Sequence, residues 1–146
     1  MQVQPYLRFE GRCEEALEFY KKALGAKIET LMRFKKAPPE ALQRSNDAPQ
    51  QGCGGFDPNK VMHACFRVGD TAIMASDGRG SGKPAFNGIA LSLSVPDEAA
   101  ADRAFRALAD GGQVQVPLAQ TFFARSFGMV GDRFGVSWMV IVPPAQ

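Results

Sequence analysis

LEFYKKALGAKIET, residues 17–30, and DRAFRALADGGQVQV, residues 102–116, are one pattern written twice. Tyr20 overlays Phe105 and Lys21 overlays Arg106, with one extra residue before Gly111. In each stretch a helical pattern runs out at glycine into an alternating, extended segment. The first copy belongs to CEEALEFYKKALGA, where Ala16, Leu17, Tyr20, Ala23 and Leu24 recur at helical spacing. Glu14 and Glu15 occupy its first turn, lysines follow, and Gly25 stops it, which predicts an amphipathic helix. So short an overlay carries weight only if its surroundings repeat as well.

They do. Upstream, Val3 to Phe9 alternates apolar Val3, Pro5, Leu7 and Phe9 with Gln4, Tyr6 and Arg8, the period-two signature of a strand with one buried face. Downstream, Lys27 to Phe34 reads as a strand, and residues 35–60 read as a long connection rich in Pro, Gly, Gln and Asn, a solvated loop or a lid. VMHACFRVG and TAIMASD then form two strands about a turn at Gly69-Asp70. After the Gly-rich stretch GRGSGKPAFNG, read as a flexible joint, the order restarts. IALSLSV is a strand, EAAADRAFRALAD a helix, GGQVQVPLA a strand, and RSFGMVGDRFGVSWMVIV two more. The chain therefore reads as two βαβββ modules, about 1–78 and 86–143, within one α+β domain.

Composition narrows the function classes. At 146 residues and 45% hydrophobic content the chain can bury a core without staples. Seventeen basic and 15 acidic residues are interspersed, with no basic stripe of the kind that binds nucleic acid. No apolar run approaches the length needed to span a bilayer, so neither a membrane nor nucleic acid is expected as partner. Cys13, Cys53 and Cys65 form an odd set without a Cys-x-x-Cys pair, which predicts a reducing, cytoplasmic setting.

Three longer stretches carry a family resemblance. PYLRFEGRCEEALEFYKKALGA, MHACFRVGDTAIMASD and TFFARSFGMVGDRFGVSWM together resemble the PhnB-like proteins, often labelled demethylubiquinone methyltransferase-like, of the vicinal oxygen chelate superfamily. That superfamily includes glyoxalase I, extradiol dioxygenases and bleomycin-resistance proteins. The resemblance implies two modules forming a curved, mostly antiparallel sheet around a cavity, and pairing of chains as a homodimer. It also implies four inward metal-ligand positions, which fall on Gln4, Met74 or Ser76, Ala90 and Met139. Hard divalent cations take carboxylate, imidazole or amide oxygen donors, and Ala and Met offer none, so no metal and no other cofactor is expected. Nor does a methyltransferase follow, since GRGSGKP lies between strands rather than opening a helix that could hold a nucleotide-type cofactor.

Alternation sorts the strand residues independently of the family. Met62, Ala64, Phe66 and Val68 are expected to face the helices, with Val61, His63, Cys65 and Arg67 on the concave side. By the same logic Leu7 and Phe9 face the helices, and Gln4, Tyr6 and Arg8 the cavity. Arg8, His63 and Arg67 then favour a carboxylate or phosphonate, because guanidinium groups offer paired donors to such anions. The alternative is that the arginines pair with acidic residues. Phe122, Phe123 and Phe127 are expected to line the cavity or the dimer seam, and Trp138 to lie in the core.

Four further residues could take part in chemistry. Cys13 before the first helix is either a thiol with lowered pKa or a packed one, and Cys65 is read as a small hydrophobe. Asp77 and Asp132 could act as acids or bases, but Asp132 in GDRFG is better read as a turn former. Three functions are therefore weighed. The first is a metal-free small-molecule-binding protein, the second a superfamily lyase, isomerase or dioxygenase, and the third an interaction module whose cavity is filled by its own side chains.

Overall fold

A computed structural model describes residues 1–36 and 57–144. Two compact units are present, residues 1–84 and 85–146. The expected lid within 35–60, and Cys53 with it, falls largely on 37–56, outside the described residues.

In the first unit the order is β1 (Tyr6–Arg8), α1 (Cys13–Leu24), β2 (Lys27–Arg33), β3 (Val61–Val68) and β4 (Thr71–Ser76). The strands form a four-stranded sheet ordered β1-β4-β3-β2, with β1 parallel to β4 and the other pairs antiparallel. Leu7, Ala75, Ala64 and Leu31 lie in one row across it. On that face α1 buries Ala16, Leu17 and Tyr20, and the Tyr20 ring stacks on Phe66 with centroids 5.7 Å apart. Phe9 closes the other side of Tyr20 at 6.2 Å. Burying such rings stabilises by roughly 1.5–3 kcal/mol each, which explains why the periodic apolar set predicts the helix.

The two ends of α1 are held differently. Gly25 adopts a left-handed φ of 67°, and the N–H groups of Gly25 and Ala26 return to the carbonyls of Lys21 and Tyr20. At the start, Arg12 supplies no side-chain cap. The buried Asp77 carboxylate does so from the end of β4, accepting the Cys13 N–H at 2.7 Å with one oxygen and the Val61 N–H with the other.

The second unit repeats the plan: β5 (Ala90–Ser94), α2 (Glu98–Ala109), β6 (Gln113–Ala119), β7 (Ser126–Gly131) and β8 (Ser137–Val142). Its sheet is ordered β5-β8-β7-β6, again with one parallel pair, β5 with β8. Asp97 caps α2 by accepting the Ala100 N–H at 2.7 Å. Ala101, Ala104, Phe105 and Leu108 of α2 are buried, as are Val130, Trp138, Val140 and Val142 of the sheet. Gly128 makes the close approach possible, since a Cβ there would lie 2.8 Å from the Phe105 ring.

The α+β architecture of two βαβββ modules is thus present, with one four-stranded sheet in each unit and two corrections of detail. The first strand begins at Tyr6, and Val3 is exposed, because pairing with β4 starts only at the Pro5 carbonyl, which accepts the Met74 N–H. Val61 is fully buried instead of facing the open side, drawn in where its N–H meets Asp77.

Candidate functional site

Because α1 covers one face of the first sheet, alternation leaves the opposite face open. Along it, Tyr6 pairs with Met74, Met74 with Cys65, and Cys65 with Thr30, while Arg8 pairs with Ser76 and His63 with Met32. Tyr6 is 42% exposed, and its hydroxyl lies 3.5 Å from His63 Nδ1 with the rings 5.8 Å apart. A phenol and an imidazole in contact on an open sheet face can donate and accept hydrogen bonds toward a bound molecule.

Arg67 is placed on this face but is already engaged. Its Nε donates to Glu29 Oε1 at 2.8 Å, and its Nη1 to the carbonyl of Asp70 at 2.9 Å. Arg67 thus pairs with an acidic residue, the alternative weighed for it, while Arg8 and His63 lie on the same face. Glu29 was missed by alternation for a geometric reason. Ile28 pairs with Phe66 and Thr30 with Cys65, so Glu29 is the extra residue of a β-bulge, which re-aims its side chain toward Arg67. No residue pattern announces that bulge.

The same carboxylate alters Cys65, which is half-buried on the open face rather than packed as a small hydrophobe. Its Sγ lies 3.7 Å from Glu29 Oε2. Partial burial and then the Glu29 charge push the thiol pKa up, while the Arg67 hydrogen bond holds the Glu29 carboxyl below its usual range. Cys13 is fully buried, and its thiol pKa is strongly raised, by burial first and then by Asp77 and Glu14. Complete burial accords with the packed thiol of the two readings, not with one activated by the helix N-terminus.

The two aspartates are structural. Asp77 holds α1 and β3 together, as described. Asp132 is buried, and its Oδ1 accepts the N–H groups of Phe134 and Val136 at 2.9 and 3.0 Å, while Oδ2 accepts the Trp138 indole N–H at 2.9 Å. It organises the β7–β8 turn and ties down Trp138, which lies in the core as alternation predicts.

The aromatic trio occupies the second unit. Phe127 lies on β7 opposite Ile141, on the face away from Trp138 and Val140. Phe123 meets it edge to face at 5.1 Å, and Phe122 meets Phe123 in the same manner at 5.1 Å. The turn that presents them is fixed by the Thr121 N–H on the Ala124 carbonyl and by the Phe123 N–H on Thr121 Oγ1. Phe122 is wholly exposed. Such a row is a stacking surface for planar or apolar groups.

The residues at the superfamily's metal positions do not suit a divalent ion. Gln4 precedes β1, Met74 and Met139 offer thioethers, Ala90 offers nothing, and the Ser76 hydroxyl accepts the Gly78 N–H at 3.1 Å. Among the described residues no group of three His, Cys, Asp or Glu side chains could hold a metal.

Comparison with known proteins agrees with this architecture. Residues 1–141 match the family model described as 3-demethylubiquinone-9 3-methyltransferase. Protein YjdN of Escherichia coli is 34% identical over 146 residues, covering 100% of this chain and 98% of YjdN. Protein PA1353 from Pseudomonas aeruginosa is 40% identical, with 98% of each chain covered and a TM-score of 0.79. A Bacillus cereus protein described as a putative 3-demethylubiquinone-9 3-methyltransferase, PhnB protein, is 25% identical with a TM-score of 0.75, covering 97% of this chain and 99% of its own. At the level of fold alone, a glyoxylase/bleomycin resistance protein/dioxygenase domain from Frankia superposes with a TM-score of 0.63 at 16% identity, covering 98% of this chain and 95% of that one.

Proposed function

The chain belongs to the 3-demethylubiquinone-9 3-methyltransferase family, in its PhnB-like branch with the glyoxalase/bleomycin resistance/dioxygenase fold, and from that premise we propose that it binds a small molecule without a catalytic metal. The observation that carries this reading is the Tyr6–His63 pair on the sheet face that α1 leaves open. Arg8 on the same face adds a guanidinium, so a ligand with an anionic or acceptor-rich group suits it best. In the second unit, Phe122, Phe123 and Phe127 offer a stacking surface of their own.

Methyl transfer is not part of the proposal. A nucleotide-type methyl donor needs backbone N–H groups at a Gly-rich turn that opens a helix. Here the Gly-rich run precedes a strand and opens no helix. The reading also takes the protein as a cytoplasmic homodimer. The free thiols of Cys13 and Cys65 fit a reducing compartment, and exposed Val114 and Val116 on the edge strand β6 fit an apolar contact between copies.

Thermal-shift screening of small carboxylates and phosphates, followed by calorimetry, tests the site. A ligand at a hundred times its dissociation constant adds about 2.7 kcal/mol of stability. Tyr6→Phe and His63→Ala are expected to weaken that ligand about tenfold or more while the chain stays folded, consistent with roughly 1–2 kcal/mol per hydrogen bond. Equal affinity in wild type and both variants would refute the placement.

A further inference from the structure

The Gly-rich stretch GRGSG, residues 78–82, is not a slack joint. Gly78, Gly80 and Gly82 take φ of 57°, 71° and 79°, and the intervening Arg79 and Ser81 do not share the positive sign. This alternation of hand turns the Arg79 and Ser81 N–H groups into one hollow, while the Gly80 N–H between them donates to the Asp77 carbonyl at 3.1 Å. Arg79 and Ser81 donate their N–H groups to the same oxygen, Glu10 Oε2, at 3.1 and 3.2 Å, and Gly82 donates to the Glu10 carbonyl at 2.7 Å. The hollow is already occupied by a carboxylate of the chain itself.

Glu10 reaches it in an unfavourable conformation. It is the one non-glycine residue among those described with positive φ, 52°, a region that L side chains rarely adopt. The fit is also tight, since a Cβ on Gly78 would lie 2.5 Å from Glu10 Oε1 and 3.3 Å from the Cβ of Arg8. Arg79 and Lys83 are exposed, and Lys60 Nζ donates to the carbonyl of Gly11, whose own Cβ would stand 3.8 Å from Gly80.

We propose that residues 78–82 form a binding site for a phosphate-type oxyanion, held shut in the unliganded chain by the Glu10 carboxylate. A monovalent carboxylate places a single oxygen against the Arg79 and Ser81 N–H groups. A tetrahedral oxyanion brings more oxygens and more charge to those two donors and lies against the base of Arg8. This site involves backbone N–H groups and is separate from the Tyr6–His63 pair.

Inorganic phosphate titrated onto the full 15N-labelled chain tests the proposal, with acetate and chloride at matched ionic strength as comparators. The expected result is saturable movement of the Arg79, Ser81 and Gly82 amide signals with phosphate, not reproduced by chloride. Binding should tighten about tenfold or more in Glu10→Ala, a change equivalent to ~1.4 kcal/mol, and should persist in His63→Ala. Saturation by acetate with equal affinity overturns the preference for a tetrahedral anion. Three silent amides in the wild-type chain overturn the site itself when Glu10→Ala also shows no saturable binding, whether it ignores phosphate or fails to fold.

Discussion

Replacing Asp132 with alanine should remove a large fraction of the stability of the second unit. Its two carboxylate oxygens accept three N–H groups, from Phe134, Val136 and the Trp138 indole, and all three residues are 2% exposed. A buried donor left without a partner costs about 1–3 kcal/mol, and water reaching a turn recovers part of that, so Asp132→Ala is expected to cost about 3–5 kcal/mol. Set against a total of roughly 5–15 kcal/mol for a domain, that loss lowers the midpoint of urea unfolding sharply. Asp132→Asn keeps one oxygen for the two backbone donors but turns an amide NH2 toward the indole N–H, for a loss of about 1.5–2 kcal/mol. In a Trp138→Phe background that clash is absent, so the same change should cost about 1 kcal/mol less, the coupling a double-mutant cycle isolates. Far-UV circular dichroism is the appropriate probe, because Trp138 is the single tryptophan. The reasoning is refuted if Asp132→Ala stays within about 1 kcal/mol of wild type, or if the two substitutions in the cycle are additive.

Two other outcomes follow from close contacts and charge. A Cβ on Gly112 would meet the Gly131 carbonyl oxygen at 2.1 Å and Asp132 backbone atoms at 2.9 Å, none of which can rotate away. Gly112→Ala should therefore cost about 2 kcal/mol or more by chemical denaturation, and Gly131→Ala less, since its nearest neighbour at 3.2 Å is the Gln115 side-chain amide. In a Cys53→Ser background, alkylation of Cys65 should show a thiol pKa above the ordinary value, and Glu29→Gln should lower it. The shift is downward because the carboxylate that disfavours a thiolate is gone and Arg67 is released beside it. An unchanged or raised pKa in Glu29→Gln would show that Glu29 does not govern the thiol.

Much of the candidate site was legible in residue patterns, and the failures have particular causes. Tyr6, Arg8 and His63 lie on the open face because strict alternation holds along β1 and most of β3. Arg67 also lies there, but its partner did not show, because Glu29 reaches it only through a bulge that shifts the register between Ile28 and Thr30. Cys13 was ambiguous because its position before a helix is visible in sequence and its complete burial is not. GRGSG read as a joint because glycines signal freedom of φ, whereas the carboxylate that uses that freedom comes from Glu10, 69 and 71 positions away from its two N–H partners.

The amino-acid sequence by itself determined the element order, its duplication, the amphipathic faces of both helices and the core position of Trp138. Those features rest on local periodicity and on hydrophobic burial, which neighbouring residues specify together. Only the tertiary structure decided where the polar groups found partners: Asp77 across α1 and β3, Glu29 on Arg67, Glu10 in the Gly-rich hollow, and three N–H groups on Asp132. Hydrogen bonds are directional and fall away steeply with distance and angle, so their pairing depends on backbone placement to a fraction of an ångström. An alternating pattern specifies a face, but not that placement.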